Sequence, residues 1–310
     1  MSDLSQHPEL QPCPAGAARP EREAYPMKGR ELNPGLMVAR ALPQRQRRLI
    51  GAWCFLDRMG PLDVTEDHRL NVAPHPHIGL QTVTWLISGA IRHRDTLGIN
   101  QVIEPGQLNL MTAGNGIAHS EEGLTPIGQQ LFGVQFWVAL PKEQANCAPA
   151  FEHFTDLPRY TEGKVTLTLF AGDYASQSAP AKYFTPLFGA ELKGSGEFEQ
   201  VLEPGFEYGL LLVKGEARLD GQAMSTDQLY YLGTGHHQTR LELTDAVIIC
   251  LGGKPFGEDI VMWWNFVGRS TQEIADARAR WQAGGFGDIP QYPGSPTPAP
   301  ELQGNLKAGH

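Results

Sequence analysis

Residues 106–121 read GQLNLMTAGNGIAHSE, and residues 227–240 read DQLYYLGTGHHQTR. Both stretches set a Gln-Leu pair at the head of a short apolar run and close it with a glycine-containing loop. A second pair stands upstream of them in the same order. It is TVTWLISGAI at 82–91 and YGLLLVKGEA at 208–217, each an apolar run ending at a glycine turn. Two matches in the same order, at offsets of 126 and 121 residues, are what duplication of one folding unit leaves behind. The boundary between the two copies is expected between 141 and 190.

The repeated unit reads as strand. Thr82–Ile87, Val134–Val138, Val165–Phe170 and Val247–Leu251 are short, rich in β-branched and aromatic residues, and bounded by Gly, Pro or Asp. Turn signals recur at Ser88-Gly89, Glu104-Pro105-Gly106, Glu203-Pro204-Gly205 and Asp220-Gly221. With 35 Gly and 24 Pro, about a fifth of the 310 residues break helices or make turns, which opposes a helical bundle. The expectation is an all-β chain of antiparallel sandwiches or barrels, long enough for a substantial core. One helix is marked. Ser270-Thr271-Gln272-Glu273 is a capping box, Ile274, Ala277 and Trp281 share a face, and Gly284-Gly285 stops the run. It is expected to pack Trp281 against a sheet.

The ends read as tails. Residues 1–25 are polar and proline-punctuated, and 290–310 carry Pro290, Pro293, Pro296, Pro298 and Pro300, so both are expected to be weakly ordered or draped on the surface. The net charge of -9 opposes direct nucleic-acid binding, and no apolar run is long enough to span a bilayer. Residues 1–16 have neither the basic nor the apolar region of a secretory signal. Cys13, Cys54, Cys147 and Cys250 lie too far apart for a zinc knuckle or a redox pair, which points to the reduced cytoplasm.

Histidine carries the chemistry. His75-Pro76-His77 puts two imidazoles at i and i+2, on one face of an extended strand, and Pro76 keeps the segment out of a helix. His119-Ser120-Glu121 repeats the arrangement with an imidazole and a carboxylate. On facing strands the two pairs would offer three nitrogens and one oxygen to a single ion, leaving two positions of an octahedron free. Glu122 competes with Glu121, but strand parity with His119 favours Glu121. The plainer alternative is two pairs of hydrogen-bonded surface residues. His93 is read as solvated or structural, and Asp57 as a turn cap or backbone acceptor.

Phe55–Pro61 (FLDRMGP), His75–Gly79 (HPHIG), His93-Arg94-Asp95 and Met111–Glu121 (MTAGNGIAHSE) closely resemble the pirin family, over about residues 36–287. The resemblance implies a bicupin, two antiparallel β-barrels of jelly-roll type packed face to face with a short C-terminal helix. The domains would be 26–150, a metal-binding cupin, and 151–289, a second cupin with the terminal helix. It further implies a site of His75, His77, His119 and Glu121, the four residues that strand parity selects. Fe(II) is the metal implied, though Mn, Co, Ni, Cu or Zn would suit the same donors. Gln81 stands where general cupin motifs have a ligating Glu and is a poor ligand. In the second half the offsets replace His75, His77 and His119 by Val201, Glu203 and Arg240, so that barrel is expected to have lost its metal and to serve packing or to close over the site.

The function implied is that of a quercetin 2,3-dioxygenase, which opens flavonols with dioxygen and releases carbon monoxide, with Glu121 as the base for the substrate hydroxyl. The alternative is a regulatory protein whose iron redox state tunes binding to a transcription factor or metabolic enzyme. Expected partners are therefore a flavonol-like small molecule or another protein, without direct nucleic-acid or membrane contact. The sequence leaves the oligomeric state open.

Overall fold

The computed structural model describes residues 22–33, 36–302, 304 and 306; Cys13 and residues 1–21 lie outside the described residues. The chain opens with β1 (Arg22–Pro26), β2 (Lys28–Asn33), β3 (Leu36–Leu42), β4 (Trp53–Asp63), β5 (Asn71–His77) and β6 (Leu80–Ser88). There follow β7 (Ile91–Asp95), β8 (Asn100–Ile103), β9 (Leu108–Thr112), β10 (Ile117–Gly123), β11 (Gln130–Ala139) and β12 (Ala150–Phe154). The second half has β13 (Arg159–Glu162), β14 (Val165–Ala171), the hairpin β15 (Asp173–Tyr174) and β16 (Gln177–Ser178), and β17 (Leu187–Val201). It continues with β18 (Glu207–Leu219), β19 (Gln222–Ala223), β20 (Gln228–Leu232) and β21 (Gln238–Gly253). A last hairpin, β22 (Val261–Trp263) and β23 (Phe266–Gly268), leads into α1 (Thr271–Gln282).

The first barrel closes a seven-stranded sheet, β12-β9-β6-β11-β4-β3-β2, over a four-stranded one, β5-β10-β7-β8. The second is a single sheet, β1-β20-β18-β21-β17-β14-β13, with β19 on β18. Its strands β17 and β21 run 15 and 16 residues and lose register between Gly194 and Gly196. A bulge of that kind bends a long strand, so one sheet curls round its own core of Leu167, Leu192, Phe198, Leu210, Leu241 and Ile248.

The large sheets of the two barrels face one another. Alternation along β6 explains how: Val83 and Trp85 point at the second barrel, and Thr82 and Thr84 point into the first. One apolar cluster therefore spans both halves, joining Trp53, Val83, Trp85 and Phe136 to Phe170, Leu211, Val247 and Ile249. Polar hydrogens within it are met across the boundary. Trp53 Nε1 donates to the carbonyls of Phe188 (3.2 Å) and Gly252 (3.0 Å), and Trp85 Nε1 donates to Glu191 Oε2 at 2.8 Å. Gln81 is spent in this interface, donating to Thr112 Oγ1 and Lys182 O, both at 2.9 Å, and so faces away from the first barrel's interior.

The chain ends are exchanged between the halves. β1 adds to the second barrel through β20, whereas β22, β23 and α1 return to the first. Ser270 caps α1 by accepting from Glu273 N, as its capping box requires. Ile274, Ala277 and Trp281 pack with Phe266 onto Ala118 of β10. The second barrel covers the interface sheet, and the hairpin that follows it covers β5. The proline-rich stretch runs back over β5, where Thr297 N donates to Pro74 O at 2.8 Å and Thr297 O accepts from Trp281 Nε1 at 2.9 Å.

Candidate metal centre

β5 and β10 are antiparallel neighbours, with His75 opposite His119 and His77 opposite Ile117. This register brings the HxH pair onto the strand that carries His119. One ring nitrogen from each of His75, His77 and His119 falls within 4.8 Å of the others, the one such group of His, Cys, Asp or Glu among the described residues. All three are buried, at 9, 1 and 1 % exposure.

The outer nitrogens show which ring atoms face the centre. His75 Nδ1 lies 3.0 Å from Ala73 O and His77 Nδ1 lies 3.0 Å from Asn265 O. A carbonyl only accepts, so both rings carry their proton on Nδ1 and turn a lone pair on Nε2 inward. His119 Nε2 lies 3.1 Å from His77 Nε2, while its Nδ1 lies 3.2 Å from His93 Nδ1. His93 Nε2 in turn donates to Asp95 Oδ2 at 2.9 Å, which leaves His93 Nδ1 to accept from His119. Three imidazole lone pairs then converge in a buried space with no proton among them. That donor set fits a divalent transition metal.

Protonation supports the same reading. Burial draws His75 down to about 4 from an ordinary 6.5, and burial plus the neighbouring imidazoles holds His77 and His119 well below that value. The three are neutral at pH 7, the form a metal ligand needs. A lowered folded-state value means that the unfolded chain takes up protons first on acidification, so stability falls as the pH drops below 6.5. For His75 alone the loss between its two values is about 3 kcal/mol. Urea denaturation of metal-free wild type and His75→Phe at about pH 7 and about pH 4.5 should show a smaller acid loss in the variant; equal losses in the two proteins would overturn the burial of a neutral imidazole at 75.

Glu121 is 6 % exposed, and its Oε1 accepts from Gln135 Nε2 at 3.4 Å. Its carboxylate stands outside the three-nitrogen group. Burial raises its pKa, partly offset by His93, Gln135 and Thr84. Glu122 faces the other way and pairs with Arg94 and with Arg92, the latter at 3.9 Å. Asp57 is an ion-pair residue rather than a cap. Its oxygens take Arg40 Nε at 2.8 Å and Arg40 Nη2 at 2.7 Å, and Arg40 lies 4.3 Å from the Phe55 ring centre. Phe55 stacks on Trp137 at 4.0 Å, and Trp137 meets His77 edge-on at 5.2 Å, which gives the centre an aromatic wall.

Two participants escaped the sequence reading. His93, taken there as solvated or structural, is 5 % exposed and bonded to His119. Its signal was present, because Ile91, His93 and Asp95 alternate on β7 as the ligands do on β5. Asn265, whose carbonyl orients His77, offers no signal, being 188 residues away and acting through its backbone. In the second barrel, pairing sets Glu199 opposite Arg240 and Val201 opposite Gln238. The counterparts of His75 and His77 are thus Glu199 and Val201, two residues before the positions that the 126 offset selects. The inward positions flanking Glu199 hold Phe198 and Gln200, and Gln200 Nε2 meets Cys250 Sγ at 3.2 Å.

Two β-barrels set face to face, with a buried three-imidazole cradle in the first, define a bicupin with a divalent-metal site. The pirin family profile matches residues 35–138 and that of the pirin C-terminal cupin domain matches 187–287. A Pseudomonas aeruginosa protein provisionally named as a quercetin 2,3-dioxygenase is 46% identical over 308 residues, covering 96% of this chain and 98% of that protein. A pirin-like protein of Caulobacter vibrioides is 36% identical, over 80% of this chain and 88% of its own. The chain belongs to the pirin family. Its fold matches a crystal structure of quercetin 2,3-dioxygenase from Acinetobacter baumannii with a TM-score of 0.88 and 39% identity, covering 93% of this chain and 97% of that one. A bacterial pirin from Escherichia coli, solved in complex with nickel(II), shares the fold at 15% identity and a TM-score of 0.62, covering 76% of this chain and 100% of its own.

Proposed function

We propose that this chain is an iron-dependent dioxygenase of the quercetin 2,3-dioxygenase type, acting on a flavonol-like substrate. The observation that carries this reading is the convergence of three neutral imidazoles beside the Phe55–Trp137 stack. It combines a metal cradle with a flat apolar wall suited to an aromatic substrate. The names of the similar proteins from Pseudomonas aeruginosa and Acinetobacter baumannii support it. Iron is proposed because a three-nitrogen set with a carboxylate nearby leaves open positions of the kind non-haem iron oxygenases use. Two buried free thiols, Cys54 and Cys250, agree with a cytoplasmic setting, and no described helix is long and apolar enough to cross a membrane.

When bound, iron supplies a Lewis acid that lowers the pKa of a coordinated hydroxyl and a redox partner for dioxygen. The protein's own residues supply the rest. His75, His77 and His119 hold the ion, with Ala73 O, Asn265 O and His93 fixing their rings. Trp137 and Phe55 orient the substrate's ring system. Glu121, a carboxylate whose basicity is raised by burial, takes the proton of the substrate hydroxyl.

The test is metal analysis of anaerobically purified protein, followed by oxygen uptake with a panel of flavonols. Glu121→Gln keeps the shape and the Gln135 contact, and is expected to retain iron while slowing uptake by about 10²–10⁴-fold. Iron-loaded wild-type protein without turnover on any flavonol would overturn the enzyme reading in favour of the regulatory one. Unchanged uptake in Glu121→Gln would overturn the role of that base.

A further inference from the structure

We propose that Asp95 and His93 form a proton-setting relay that dictates the tautomer of His119, and thereby how tightly the centre holds a metal. The inference rests on the reading that His75, His77 and His119 bind a metal. It begins at Asp95, which is fully buried at 0 % exposure. Its Oδ1 accepts two backbone hydrogens, from Leu97 N at 2.9 Å and Ile99 N at 3.1 Å, inside the turn that joins β7 to β8. That anchor leaves Oδ2 a single task, to accept from His93 Nε2 at 2.9 Å. With two amide hydrogens already on Oδ1, Oδ2 is the acceptor of this contact, which assigns the His93 ring proton to Nε2.

The remaining steps follow from counting hydrogens. His93 Nδ1 is then an acceptor, and the one ring nitrogen it faces is His119 Nδ1 at 3.2 Å. His119 must carry its proton there, which turns the Nε2 lone pair toward His77 Nε2, 3.1 Å away. The His93 plane cannot swing to escape the assignment, because the ring stacks on Phe151 at 4.6 Å and 25°. His75 and His77 are set separately, each by one carbonyl. His119 is the ligand whose proton is fixed through a second imidazole, whose two nitrogens could serve either way round. The choice resides in Asp95.

Asp95→Asn reverses that choice without changing shape. The asparagine must keep Oδ1 on the Leu97 and Ile99 amides, since a flipped side chain would set its NH₂ against two N–H donors. Its NH₂ then faces His93 Nε2 and can only donate. The His93 proton moves to Nδ1 and points at His119 Nδ1, and the His119 proton moves to Nε2, where it occupies the place of the metal. Adding His93→Phe cuts the link: the ring shape is kept, but residue 95 can no longer dictate to His119.

The experiment is titration with cobalt(II), followed by its visible d–d absorption, on wild type, Asp95→Asn, His93→Phe and the double variant. The expected results are a loss of about 10–100-fold in cobalt affinity for Asp95→Asn, and a double variant that binds as His93→Phe alone does. In metal-free protein, ¹⁵N–¹H correlation of the imidazoles should place the His119 proton on Nδ1 in wild type and on Nε2 in Asp95→Asn. A merely structural role for Asp95 would instead add its loss to that of His93→Phe and leave the His119 tautomer alone. Either of those results, or wild-type cobalt binding by Asp95→Asn, overturns the relay. Cobalt binding retained by His119→Ala would be a different failure, that of the metal centre itself.

Discussion

His119→Ala is expected to leave a folded protein without its metal. The substitution takes away the inward nitrogen that closes the group with His75 and His77, all within 4.8 Å of one another. Two imidazoles, each held by one carbonyl, remain. Loss of residues that merely orient a ligand costs about 10–100-fold in metal affinity, so loss of the ligand itself should cost more than that. Oxygen uptake should fall to background with it. The fold should persist, because β10 keeps its pairing to β5 and β7 through the backbone. Metal analysis and circular dichroism on the same preparation make the check. One metal per chain in the variant would refute the centre.

Trp53→Ala should have the largest effect on stability. The indole is fully buried between the barrels, edge-on to Phe136 at 5.6 Å and to Phe170 at 6.3 Å. Its removal opens a cavity in the shared cluster, for which about 3–5 kcal/mol is the usual cost. It also strips the carbonyls of Phe188 and Gly252 of the donor they share, which places the loss toward the upper end. Urea denaturation followed by fluorescence and by circular dichroism should show both barrels destabilised together. A loss under about 1 kcal/mol would mean that the interface does not hold the halves together.

Much of this architecture could be read locally. The runs at Thr82–Ile87, Val134–Val138, Val165–Phe170 and Val247–Leu251 lie inside β6, β11, β14 and β21. Asp220-Gly221 turns with both residues at positive φ, 48° and 81°, as its composition announces. Alternation on an extended strand set His75 and His77 on one face, and the antiparallel pairing of β5 with β10 brings His119 to them. What eluded the sequence depends on partners distant along the chain. The second copy has seven residues from Val201 to Tyr208 where the first has five from His77 to Thr82, so the 126 offset fails upstream of that connection by two residues. The roles of His93 and Asp57 depend on which neighbour the sheet supplies, His119 in one case and Arg40 in the other. Glu121 shows the limit differently, because parity put it on the right face but not how far its carboxylate reaches.

The exchange of chain ends has a consequence for biosynthesis. The last acceptor needed to orient a ligand, the carbonyl of Asn265, follows His77 by 188 residues. At usual elongation rates of about 5–20 residues per second, the ribosome needs about 10–40 s to make that stretch. The first barrel can pair its strands in that interval, but His77 has no carbonyl to hold it. At the cost of about 10–100-fold that a missing orienting partner brings, a centre on the unfinished chain should hold metal more weakly than the finished one.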